Sequence, residues 1–77
     1  MLAVPALAQL DTSLPGVRQM QKWIRAKTAV RVQLRDGSKL DGVLDWQDVE
    51  FLALRLPNDV EPVLILRQAL SVIRSLN

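Results

Sequence analysis

Asp36-Gly-Ser-Lys-Leu-Asp-Gly-Val-Leu-Asp-Trp-Gln-Asp48 is the stretch on which the fold turns. Its Asp36-Gly37 dipeptide stands between two alternating apolar runs, Val30-Arg-Val-Gln-Leu34 and Leu40-Asp-Gly-Val-Leu-Asp-Trp46. Glycine adopts the positive φ that tight hairpin turns require, so the pattern predicts two antiparallel strands joined by a short turn. In the first, Val30, Val32 and Leu34 alternate with Arg31, Gln33 and Arg35, which makes a half-buried strand with a polar outer row. The second runs from Ser38 to Trp46 with Leu40, Leu44 and Trp46 on one side. Gly42 falls on that side too, where glycine marks a sharp bend, a bulge or a close backbone approach.

Downstream, Val49 to Leu56 reads as a third strand ended by the turn Pro57-Asn58-Asp59. Val63 to Leu66 is a continuous apolar run, the pattern of a strand covered on both sides. Arg67-Gln68-Ala69 is a tight link, and Leu70 to Arg74 makes a fifth strand. Upstream, Val17, Met20, Trp23 and Ile24 recur at helical spacing between Leu14 and Lys27. At about 100° per residue they form one stripe, with Arg18, Lys22 and Arg25 roughly opposite. Pro15 suits a first helical turn, and Asp11, Thr12 and Ser13 are the expected N-caps. The reading is a mainly β domain with one N-terminal helix. Residues 11–77 form it, and residues 1–10 are expected to be a flexible apolar tail.

A chain of 77 residues lies near the lower limit for a self-sufficient core. Without cysteine it has neither disulfides nor thiolate metal ligands, and without histidine it lacks the usual base near neutral pH. Yet 49% of its residues are hydrophobic, a surplus that points to burial between copies. The opening Met1-Leu-Ala-Val-Pro-Ala-Leu-Ala superficially resembles a secretion signal, but it has no basic start and Pro5 interrupts a short apolar run. No segment approaches the roughly 18 apolar residues of a membrane span, so a cytoplasmic protein is expected. Charge is lopsided: Arg18 to Lys39 carries seven cations against Asp36 alone, whereas the chain from Leu40 onward is net acidic. One electropositive face is the expected result. The clustered carboxylates Asp45, Asp48 and Glu50 read as turn formers. No nucleophile–base pair, cofactor cradle or metal-ligand set accompanies them, so no catalytic residue, cofactor or metal is assigned and no enzyme is expected.

With one helix ahead of five strands, residues Asp11 to about Leu76 resemble the Sm-like family and, within it, its Hfq branch of cyanobacterial type. The motifs that carry the resemblance are Leu14-Pro15, Val17-Arg-Gln, Gln21, Asp36-Gly37, Gly42 and above all Trp46-Gln47-Asp48. The resemblance implies a helix on a strongly bent five-stranded antiparallel sheet, a small open barrel. It also implies a hexameric ring closed by the fourth strand against a neighbour's fifth. Three RNA-binding surfaces come with it. At the pore, the family's Tyr-Lys-His motif falls on Leu66-Arg67-Gln68, so Arg67 and Gln68 are the expected contacts. The aromatic that stacks bases there falls on Glu50, which cannot stack. On the opposite face the purine-stacking tyrosine falls on Gln33, and Lys39 keeps a matching cation. At the rim, Arg25 and Lys27 match the basic patch, with Arg18 and Lys22 nearby. The resemblance thus implies an RNA chaperone for small RNA and mRNA. With two pockets degraded, it would hold single-stranded RNA by charge, with low selectivity. The alternative is a ring with little RNA affinity that docks an acidic protein partner on its basic helix face.

Overall fold

The computed structural model describes residues 9–77; the apolar segment at the start of the chain lies outside them. Helix α1 (Pro15–Ala26) is followed by β1 (Ala29–Leu34), β2 (Lys39–Gln47), β3 (Phe51–Arg55), β4 (Val63–Leu66), a 3₁₀ turn (Arg67–Ala69) and β5 (Leu70–Ser75). The strands form one antiparallel sheet in the order β4-β3-β2-β1-β5, bent but not closed.

Val30, Val32, Leu44, Leu52, Leu54 and Ile65 form the core on one side of the sheet, against Met20, Trp23 and Ile24 of the helix. Helix α1 starts differently from expectation. Leu14 occupies the N-cap with no side-chain cap, because Asp11 accepts hydrogen bonds from the Ser13 backbone N–H (2.9 Å) and hydroxyl (2.6 Å) instead. Pro15 at the first helical position limits the loss, since it has no amide hydrogen to satisfy. The far end closes on Lys27 in the left-handed region (φ 53°), with Thr28 N–H bonded to Trp23 O and Lys27 N–H to Ile24 O.

Residues Arg35 to Ser38 connect β1 and β2 in a hairpin. Gly37 holds φ 91° while its amide bonds Leu34 O at 2.9 Å, and Leu34 N–H bonds Ser38 O at 2.8 Å. At Gly42 a close backbone approach is what requires glycine: a Cβ there would lie 2.3 Å from Arg55 O. The bulge lies three residues on, at Asp45, where the β2–β3 register shifts between Leu44 and Trp46. One inserted residue reverses the facing of the residues beyond it. Trp46, expected on the core side with Leu40 and Leu44, is therefore exposed, and Gln47 faces the helix instead. Strand β4 also departs from expectation in the single chain. Ile65 faces the core, but Leu64 and Leu66 are about half open, because β4 is an edge of the sheet.

Gly42→Ala is expected to lower stability by about 3 kcal/mol, since the obstructing atom is backbone and cannot rotate away. Chemical denaturation measures it: the midpoint should fall with the m-value unchanged. A midpoint within error of the parent would show that β2 and β3 separate freely at this point.

Candidate functional site

The helix presents its cations together. Arg18, Lys22 and Arg25 fall within a narrow wedge of the helical wheel, because the spacings four and three return to the same face. With Thr12 and Gln21 they line a groove that contains no acidic residue. All three are exposed, as is Lys27, and none of these four takes part in a salt bridge among the described residues. Lys27 stands around the end of the helix, in a separate depression with Ile24, Val43, Leu44, Asp45 and Arg55. The structure thus gathers three of the four expected rim cations and sets the fourth beside the Asp45–Arg55 ion pair.

Arg67 turns inward. Its Nη1 donates to Asp48 O (3.0 Å), and its Nη2 to Gln47 Oε1 (2.8 Å). The amide of Gln47 in turn donates through Nε2 to Gln21 Oε1 (2.8 Å) and Val17 O (3.1 Å). A chain of hydrogen bonds therefore runs from helix α1 through β2 to the 3₁₀ turn. Gln68, the neighbour on that turn, is exposed, and so is Glu50. Sequence reasoning gave Gln21 and Gln47 no site role. Their signal was a polar residue on the apolar stripe of the helix, four positions after Val17. Asp48 organises the adjoining turn, where its Oδ1 accepts from the amides of Glu50 (2.9 Å) and Phe51 (2.6 Å).

On the face away from the helix, Gln33 of β1 stands opposite Lys39 of β2 and Val72 of β5. These three, with Arg31 and Arg74, line a shallow depression of about 170 Å³. Arg31 binds Asp41 through Nε (2.8 Å) and Nη2 (2.9 Å). That hydrogen bond holds the Asp41 carboxyl below its ordinary value; desolvation opposes it, and the charges of Arg31, Arg74 and Lys39 add smaller lowering effects. Arg31 and Arg74 belong to this site, yet only their cross-strand register reveals it. Among the described residues, no three of His, Cys, Asp or Glu gather where a metal ion could be held, and no helix is long and apolar enough to cross a membrane.

A family model described as "Hfq related" matches residues 14–75. The chain belongs to the Hfq-related family. Its fold is close to that of an Hfq protein from Anabaena sp., a crystal structure with 26% identity and a TM-score of 0.70, which covers 80% of this chain and 97% of that one. A crystal structure described as the pleiotropic translational regulator Hfq is similar at 21% identity and a TM-score of 0.68, over 73% of this chain and 90% of that one. No curated protein matches. The Sm-like fold and the Hfq resemblance, including its cyanobacterial side, therefore hold. The Hfq-related match begins at Leu14 and so spans the helix and all five strands.

Asp41 has a depressed folded-state value, so its contribution to stability is present above its unfolded value of 3.8 and is lost as pH falls through the lower folded value. Asp36, held low by the Ser38 hydroxyl and amide, acts in the same window. Asp41→Asn should therefore flatten the decline in thermal stability below about pH 4. Melting curves from about pH 2 to pH 6 test this; an unchanged acid limb would show that the Arg31 pair carries no linkage.

Proposed function

We propose that this protein is a ring-forming RNA-binding protein of post-transcriptional regulation. It holds single-stranded stretches of small RNA or mRNA chiefly through their phosphates. The observation that carries this reading is the helix groove of Arg18, Lys22 and Arg25, whose lining contains no acidic residue. Uncompensated cations on a rigid element bind a polyanion by releasing its counterions. Membership of the Hfq-related family and its similarity to a translational regulator support the same conclusion. Lys27 extends the rim, Gln33 and Lys39 add contacts on the opposite face, and Gln68 faces the pore beside Arg67. The folded unit is residues 11–77, with residues 1–10 appended. The protein works in the cytoplasm, and it performs no catalysis.

The ring is proposed to contain six subunits. Strands β4 and β5 are the two free edges of the sheet, and Leu64, Leu66 and Val72 on them are 52%, 54% and 49% exposed. Pairing the fourth strand with a neighbour's fifth satisfies both edges and covers apolar surface. Mass measurement in solution at micromolar concentration should return six copies; a monomer sinks the ring.

A second reading has its own support. Arg67 is engaged within the subunit, and by the family resemblance the base-stacking aromatic of the pore falls on Glu50. A ring so deprived could dock an acidic protein partner on the same helix face. Replacing Arg18, Lys22, Arg25 and Lys27 with Gln separates the two. These exposed changes should leave thermal stability nearly unchanged. On the RNA reading, the slope of log K against log salt should drop by roughly 3, at about 0.7 per phosphate contact. Glu50→Phe should tighten oligo-U binding, because stacking contributes about 1–3 kcal/mol per base. A parent that binds no RNA at about 50 mM salt, and an acidic polypeptide only through these four cations, would favour docking.

A further inference from the structure

Arg67 fixes the direction of the hydrogen bonds that run from the 3₁₀ turn to the helix. A guanidinium donates and never accepts. Its Nη2 meets the Gln47 side chain at 2.8 Å, so the atom it meets must be the amide oxygen. The Gln47 nitrogen is thereby turned to the helix, where it donates to Val17 O at 3.1 Å and to the Gln21 side chain at 2.8 Å. Gln21 must in turn present its oxygen to Gln47, which leaves its Nε2 on the other branch of the amide. Two amides, each otherwise able to flip, are set by one donor-only group. No side-chain nitrogen or oxygen among the described residues is both buried and unpartnered, so Gln21 Nε2, which has no partner there, reaches solvent. Gln21 also lines the helix groove beside Arg18, Lys22 and Arg25. The relay from Arg67 through Gln47 therefore ends on an N–H donor at the groove wall. Hydrogen bonds in series polarise one another, so the charge at its head strengthens the donor at its tail.

We infer that Gln21 is an anion-binding donor of the helix groove, and that Arg67 is the positioning residue that orients it rather than a ligand contact at the pore. The inference rests on the RNA-binding reading and adds a neutral donor to its three cations; the anion is a phosphate of single-stranded RNA. Arg67 itself is poorly placed for a ligand. Its Nη1 is held by Asp48 O at 3.0 Å, its Nη2 also touches Met20 Sδ at 3.9 Å, and its backbone amide bonds Glu50 O at 2.7 Å. A phosphate at the pore would have to displace such bonds, whereas the Gln21 donor is oriented before any ligand arrives. A neutral amide releases no counterion, so it adds affinity that salt does not remove. Phosphates carry no base identity, and the contact leaves sequence selectivity as it is. An acidic peptide fits less well: the groove lining of Thr12, Arg18, Gln21, Lys22 and Arg25 holds no apolar residue, and peptide docking draws its strength from buried apolar and aromatic anchors.

The test measures affinity of the full chain for a labelled mixed-sequence single-stranded RNA at about 50 and 200 mM salt. Gln21→Met keeps an unbranched, helix-forming side chain and leaves Gln47 its bond to Val17 O. It should lose about tenfold in affinity at both salt concentrations, with the slope of log K against log salt unchanged. Gln47→Glu reverses the relay. The introduced carboxylate still accepts from Arg67, but it can only accept from Gln21, so the Gln21 amide turns its oxygen to the groove. This variant should melt close to the parent, since an ion pair with Arg67 offsets the lost bond to Val17 O, yet lose RNA at least as strongly as Gln21→Met. Added to Gln21→Met, it should change nothing further. Arg67→Gln should likewise leave the slope unchanged, and its effect should not add to that of Gln21→Met. Parent affinity in Gln21→Met or in Gln47→Glu overturns the inference. So does a slope lowered by about 0.7 in Arg67→Gln, the mark of a direct phosphate contact. If Gln47→Glu weakens RNA equally with and without Gln21→Met, its charge acts directly and the relay is wrong. If Gln21→Met loses poly-glutamate but keeps RNA, the occupant is an acidic peptide. In each of these cases RNA binding by the cations still stands; a parent without RNA affinity removes both readings together.

Discussion

At Gly42, strand β2 passes so close to the Arg55 carbonyl that no side chain fits between them. Three residues later, Asp45 adds an unpaired residue to the same strand. A close approach and a bulge together bend a strand and increase its twist. The bend lets one sheet wrap both sides of a small core: Val30 and Val32 from β1 meet Leu52 and Leu54 from β3 and Ile65 from β4. It also leaves β4 and β5 at opposite ends of the strand order, each with an unpaired edge. The core, the facing of Trp46 and Gln47, and the two free edges all depend on this one strand.

The helix is held onto the bent sheet by polar as well as apolar contacts. Behind its apolar stripe, Gln21 meets Gln47, Gln47 meets Arg67, and Arg67 reaches the Asp48 carbonyl. Partly buried polar groups are costly when left unpaired, and here each finds a partner; no buried side-chain nitrogen or oxygen lacks one among the described residues. This arrangement draws one cation inward and leaves Arg18, Lys22 and Arg25 as the outward charge of the helix. None of the three takes part in a salt bridge among the described residues. The second electropositive surface arises from the sheet instead, where the pairing of β1 with β5 brings Arg31 and Arg74 together.

By itself, the sequence determined the element order and most of the facing. Val30, Val32 and Leu34 alternate with Arg31, Gln33 and Arg35, and that period of two needs nothing beyond the pleat of the backbone. The same holds for the helix, where Val17, Met20 and Ile24 oppose the cations because of the helical repeat. Asp36-Gly37 and Pro57-Asn58-Asp59 were legible as turns because their backbone angles are local properties. The clustering of Arg18, Lys22 and Arg25 was legible for the same reason, since it is a property of one helix.

Tertiary structure alone decided the rest. A bulge at Asp45 leaves no trace in composition, and it turned Trp46 outward although the alternation placed it inward. Arg67 looked like a free cation next to Gln68; its partners Gln47 and Met20 lie 20 and 47 residues away, and only the folded sheet brings them within reach. Asp11 and Ser13 satisfied each other rather than the helix, a competition between neighbouring hydrogen bonds that residue type cannot settle. Periodicity reports the few residues around each position. The partner of a charge is set by which strands lie side by side, and that is a property of the whole chain.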